Sequence, residues 1–161
     1  MALTQVRGNG ISNMVNVDGQ FTMPAQPAFL VIPATAQNNV ATSAVTVVFG
    51  TEIFDVGGNF ASNTFTAPVT GKYQFNISLQ VNNVDTAASY VQIILNTSNR
   101  DYYNAIDPDG FDADPAYWTL TLSTLADMDA SDTAFVQIHQ PDGTAQMDVQ
   151  VTSRFSGYLV A

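Results

Sequence analysis

The chain of 161 residues contains no cysteine, a single histidine and only four basic side chains against 14 acidic ones. Without cysteine there is no disulfide framework, no thiol nucleophile and no thiolate zinc site. One histidine, His139, excludes a multi-histidine metal centre. Any Ser-His-Asp triad would have to use it, yet it lies in the alternating run "AFVQIHQ", which reads as a strand carrying a solvated imidazole. The four bases are Arg7, Lys72, Arg100 and Arg154, and the net charge of −10 offers a phosphate backbone almost nothing to bind, so nucleic acid is not an expected partner. Charged residues make up 11% of the chain, well below the usual figure of about 25%, so the polar surface has to be built from Asn, Thr, Ser and Gln. No stretch approaches the ~20 apolar residues of a membrane span, and membrane insertion is not expected. The opening "ALTQVRGNGISN" has neither a basic start nor an apolar core of signal-peptide type. The expectation is therefore that a protein of this kind working outside a cell gets there by another route, such as a phage particle released by lysis.

What the sequence has is β pattern. Short alternating or apolar runs rich in Val, Ile, Thr, Phe and Tyr are separated by Gly, Pro, Asn and Asp clusters. They predict strands at 28–32, 44–49, 52–54, 64–67, 72–81, 89–95, 99–104, 117–125, 133–139 and 147–160. About ten strands at this spacing means a sandwich or a barrel. Alternation is clearest in "KYQFNISLQV", where Tyr73, Phe75, Ile77, Leu79 and Val81 share one side and Gln74, Asn76, Ser78 and Gln80 the other. In 117–125, Trp118, Leu120 and Leu122 alternate with Thr119, Thr121 and Ser123. Residues 1–26 differ: isolated apolar residues and Gly-Asn breaks read as an N-terminal arm, trailing in solvent or ordered by docking on a partner, with the head running from 27 to 161.

From Phe49 the spacing of aromatics and glycines becomes specific. Phe49, Asp55, Phe60 and Phe65 lead into Gly71-x-Tyr73-x-Phe75, "PAFLVIPA" opens the segment at 27–34 and "SRFSGYLVA" closes it at 153–161. This pattern resembles the globular head of complement component 1q, a tumour-necrosis-factor-like fold. Two departures stand out: Phe60 to Phe65 is two residues shorter than the family's spacing, and Ile77 replaces its final aromatic. The resemblance implies an all-β, ten-stranded jelly-roll sandwich of complement-1q/tumour-necrosis-factor type that is a homotrimer, with the first and last strands in the sheet facing the three-fold axis. On the closing strand, Phe155, Gly157 and Leu159 form one set and Ser156, Tyr158 and Val160 the other. Alignment to the family's last strand puts Phe155, Gly157 and Leu159 at the trimer interface, with Arg154 near its rim. The collagen-like stalk of the complement protein is not in the sequence.

Two clusters could carry chemistry. "DPDGFDADPAYW" at 107–118 places Asp107, Asp109, Asp112 and Asp114 within eight residues. The spacing excludes an EF-hand, whose Gly stands at position 6 and whose Glu stands at 12. Two readings compete: calcium held by a less regular oxygen set, or turns made by Pro108, Gly110 and Pro115 with the aspartates solvated. No cofactor is required, and calcium is the one metal the sequence leaves room for. Tyr102, Tyr103 and Tyr117 are candidate ligand-binding residues for stacking on sugars, set against ordinary packing. The acids sit in polar turns that keep them ionised, which argues against a glycosidase, and no nucleophile elbow or phosphate-cradling loop is present. The leading expectation is a non-enzymatic trimeric protein of a phage virion, a capsid decoration or fibre head, docking on other virion proteins through 1–26, its head either binding a host-surface glycan or only stabilising and decorating the particle. The alternative is a soluble, extracellular bacterial carbohydrate- or protein-binding module.

Overall fold

The computed structural model describes residues 15–160 apart from Asp18. It is all-β except for one 3-10 turn, Pro108–Gly110. The strands are β1 (Val15–Val17), β2 (Gln20–Thr22), β3 (Ala28–Ile32), β4 (Val45–Thr46), β5 (Thr51–Val56), β6 (Phe60–Ala61) and β7 (Thr64–Thr66), then β8 (Gly71–Asn82), β9 (Val91–Thr97), β10 (Asp101–Ile106), β11 (Tyr117–Met128), β12 (Thr133–His139), β13 (Asp148–Val149) and β14 (Arg154–Leu159). A first sheet is ordered β11-β8-β14-β3-β5, with β13 also pairing to β8; a second is ordered β10-β9-β12-β7-β6, with β4 on β12. Every pairing is antiparallel.

The inward faces follow the alternation. Tyr73, Phe75, Ile77, Leu79 and Val81 are all buried on β8, and Val91, Ile93, Leu95, Ala134, Val136 and Ile138 meet them from β9 and β12. Between the sheets lies a cluster of Phe29, Phe49, Phe60, Phe65, Tyr73, Phe75 and Phe155. The Phe29 ring stacks on Phe60 and Phe65, with centroids at 5.2 and 4.9 Å, and meets Phe155 edge-on at 4.9 Å. Offset and edge-to-face geometries of this kind add to the area that the rings bury.

The spaced residues of the sequence motif hold this cluster in place. Asp55 accepts the backbone N–H of Asn59 at 3.0 Å and of Phe60 at 2.8 Å, which closes the turn that delivers Phe60 to the core. The short gap between Phe60 and Phe65 is a two-residue hairpin. Phe60 and Phe65 are cross-strand partners, and Ser62 and Asn63 adopt φ of 50° and 64°, the left-handed pair that such turns demand. Asn63 suits that conformation, and its side-chain oxygen accepts the Phe49 N–H at 2.8 Å.

Three expectations are corrected. Predicted strands begin at 28, yet within the 1–26 arm β1 and β2 pair as a hairpin whose turn includes Gly19 at φ 82°. Its signal in the sequence is Asp18-Gly19 between the alternating runs 15–17 and 20–22, which reads as a chain break unless both flanks are counted as strand. The rest of the 1–14 portion of the arm lies outside the described residues. The closing run 147–160 is not one strand. It breaks at 150–153, where Ser153 N–H donates to the Gln150 carbonyl and its hydroxyl accepts the Gln80 N–H, both at 3.0 Å. The third concerns the faces of β14 and is described with the site.

Candidate functional site

β14 lies between β3 and β8, so its two faces are set by register. Phe155 and Gly157 point into the chain's own core and are buried, while Leu159 is half-buried against its edge. The expectation that Phe155, Gly157 and Leu159 form the trimer interface is thereby reversed for this face. Gly157 has no room to do otherwise, because a Cβ there would meet Phe75 Cδ1 at 2.6 Å and Phe29 Cε1 at 2.7 Å. The outward set is Arg154, Ser156, Tyr158 and Val160.

Register extends that set across the sheet. Ser156 opposes Leu30, and Leu30 opposes Phe54; Tyr158 opposes Ala28, and Ala28 opposes Val56. The β14-β3-β5 half of the outward face is therefore apolar, and Phe54, Tyr158 and Val160 are left 47%, 46% and 50% exposed. At one end Met23, Pro24, Gln26, Val56, Tyr158 and Val160 line an open groove of about 560 Å³. The β8-β11 half is polar. Ser123 donates to Asn76 Oδ1 at 2.9 Å, Gln74 Nε2 donates to Ser123 Oγ at 3.0 Å, and Thr152 donates to Gln80 Oε1 at 2.6 Å. Sequence reasoning grouped Tyr158 and Val160 but not Leu30, Phe54 and Val56 with them; cross-strand pairing makes them one face, and a single strand's alternation cannot show that.

The aspartate loop does not converge. Asp107 caps the 3-10 turn by accepting the Asp109 N–H at 3.0 Å. Asp114 turns away to another loop: its Oδ1 accepts Thr86 N at 2.9 Å and Thr86 Oγ1 at 2.7 Å, and its Oδ2 accepts Gln146 Nε2 at 2.8 Å. The Thr86 backbone N–H, then the Thr86 hydroxyl and Gln146, hold the Asp114 carboxyl below its ordinary value. Among the described residues no group of three or more His, Asp or Glu side chains is disposed to hold a metal ion. Asp107 thus serves as a turn cap, and Asp114 staples 107–116 to the 84–89 and 140–147 loops.

The three tyrosines do not share a patch. Tyr102 and Tyr103 are consecutive on β10 and point to opposite faces. Tyr102 packs against the core, whereas Tyr103 lies 56% exposed on the outside of the second sheet, its hydroxyl donating to Asp101 at 3.0 Å. Tyr117 starts β11 in the other sheet and is 72% exposed. His139 also stands on the outside of the second sheet, its ring edge-on to Tyr90 with centroids 5.4 Å apart. The surroundings are those of a surface aromatic pair.

Two packed antiparallel sheets with a filled aromatic interior and one half-apolar outer face define a jelly-roll sandwich of the complement-1q/tumour-necrosis-factor class. The family profile described as "C1q domain" matches residues 28–160, and the chain belongs to that family. Among solved structures it is similar to the globular domain of zebrafish complement 1qA, with a TM-score of 0.60 and 16% identity over 84% of this chain and 98% of that one. It is also similar to murine APRIL, with a TM-score of 0.62 and 8% identity over 84% of this chain and 99% of that one. No curated protein sequence matches it. Domains of this family are typically non-enzymatic, form homotrimers and act outside cells.

Proposed function

We propose that this chain is a non-enzymatic structural head that works as a homotrimer, with the outward face of β11-β8-β14-β3-β5 turned to its neighbours. The observation that supports the reading is that face. Phe54, Tyr158 and Val160 remain about half exposed in a continuous apolar area with Leu30 and Val56, and an area of this kind in a soluble protein marks a contact surface. A stable interface needs roughly 800 Å² from each partner. Light scattering of the full chain tests it, the expected mass being three times 17.2 kDa.

The setting we propose is a phage virion. Residues 1–26 dock on another virion protein, and the jelly roll projects outward as a capsid decoration or fibre head. The low charge, the acid excess and the Asn/Thr/Ser/Gln surface support it, as does a head preceded by a separate hairpin segment. Deleting residues 1–24 should leave a folded trimer that no longer enters its parent particle; normal incorporation of the truncated chain would end the docking role. A second reading, a secreted bacterial binding module, is favoured by one observation, the 72% exposure of Tyr117. Recovery of the protein from purified particles supports the first reading, and recovery from culture medium alone supports the second.

A further inference from the structure

Arg154 opens β14 in the middle of the outward face and stands opposite Ser78 of β8, which in turn stands opposite Thr121 of β11. With Asn76, Ser78, Thr121, Ser123 and Ser156 it lines a cleft of about 280 Å³. Three basic side chains belong to the described residues. Arg100 is paired with Asp127 at 2.9 Å, and Lys72 faces Asp127 across the β8–β11 register. No acid of the described residues lies within ion-pair distance of Arg154, which is exposed. Nor does any hydrogen bond among the described residues engage the hydroxyls of Ser78 and Thr121, whereas those of Ser123 and Ser156 are used within the sheet. An unpaired guanidinium beside two unengaged hydroxyls is a set of donors without an acceptor.

We propose that Arg154, Ser78 and Thr121 form a carboxylate-binding site that is filled by an acidic side chain of a second copy of this chain. The inference rests on the trimer reading and adds the polar half of the face to it. The guanidinium fork matches a carboxylate in two parallel N–H···O bonds, and the hydroxyls satisfy the remaining lone pairs. Closing a partner over Arg154 without a counter-charge would strip its hydration with no return. With 14 acids against four bases and a net charge of −10, a second copy carries carboxylates in excess of the cations of its own that could neutralise them, the charge complement of Arg154. Arg154 is then the contact that sets register between copies, while Leu30, Phe54 and Tyr158 supply the area.

The test uses the full chain, with association followed by sedimentation over a concentration series at low and high salt. Arg154→Gln should weaken trimer association by about tenfold or more and flatten its salt dependence, with unchanged far-UV circular dichroism. Arg154→Lys should fall between, since an ammonium keeps the charge but loses the fork. A trimer whose affinity and salt dependence are the same in Arg154→Gln overturns the inference while leaving the trimer reading intact. Tightening of the wild-type trimer by millimolar inorganic phosphate, lost in Arg154→Gln, means that a free anion fills the site, which overturns the assignment to a second copy. A wild-type chain that is monomeric throughout defeats both readings.

Discussion

Replacing Gly157 by alanine adds one methyl group where β14 passes between two core phenylalanine rings. The new Cβ would lie 2.6 and 2.8 Å from Phe75 Cδ1 and Cε1 and 2.7 Å from Phe29 Cε1, where ordinary contact starts near 3.5 Å. Relief by backbone movement is blocked, because Phe29 and Phe75 are also the cross-strand partners of Gly157 in β3 and β8, and β14 is held by both. Relief by ring movement is opposed on the other side, since Phe29 and Phe75 pack on Phe65 and Phe155. Overpacking of this kind costs about 1–3 kcal/mol. For a chain of this size each kcal/mol moves the melting temperature by ~2–4 °C, so Gly157→Ala should melt ~2–12 °C lower. The assay is thermal unfolding by circular dichroism at fixed protein concentration, paired with Phe75→Leu and the double variant. The double variant should lose less than the sum of the single losses by at least ~0.5 kcal/mol, because the smaller side chain clears the space. Wild-type stability in Gly157→Ala, or simple additivity in the double variant, would refute the close-approach account of this glycine.

The same geometry gives three further expectations. Asp55→Ala removes the acceptor for two N–H groups in a partly buried turn and should cost about 1–3 kcal/mol in urea unfolding, whereas Asp55→Asn, which keeps one carbonyl acceptor, should cost less; equal losses would count against the turn-closing role. Calcium should leave the melting temperature of the full chain unchanged relative to chelator, since occupancy at 100 times Kd would add about 2.7 kcal/mol, or ~5–11 °C, and a rise of that size would restore the metal reading of Asp107, Asp109, Asp112 and Asp114. Asp114 has its folded pKa lowered by Thr86 and Gln146, so its contribution is present above the ordinary value of 3.8 and is lost as pH falls below it. Asp114→Asn should therefore flatten the loss of stability on acidification in that window, and an unaltered acid profile would show that the staple is not a charged one.

Much of the fold was legible because one side of each central strand is buried. β8 carries five inward apolar residues in strict alternation and its faces came out as read, and β12, read as an alternating strand, is buried at every second residue. β14 shows the limit of that reasoning. Alternation sorts Phe155, Gly157 and Leu159 from Ser156, Tyr158 and Val160, but both sets contain large apolar side chains, so period alone does not say which faces the core. The decision is made by Phe29 and Phe75, which need a residue without a side chain between them, and those contacts are more than 80 positions away in sequence. The aspartate loop was legible as a loop and not as a staple, because the partners of Asp114 are Thr86 and Gln146, 28 and 32 residues distant. The β1–β2 hairpin was signalled by Asp18-Gly19 between Val15-Asn16-Val17 and Gln20-Phe21-Thr22, a pattern that reads as a mere break when only isolated apolar residues are weighed.

The central claim is that the outward face, and not the core-facing set of β14, joins copies of this chain. Tyr158→Glu tests it most directly, because Tyr158 is 46% exposed on the central strand of that face and contributes nothing to the aromatic cluster. Light scattering should give three times 17.2 kDa for the wild type and a single chain's mass for the variant, with the same far-UV circular dichroism. A folded Tyr158→Glu chain that remains a trimer would contradict the account.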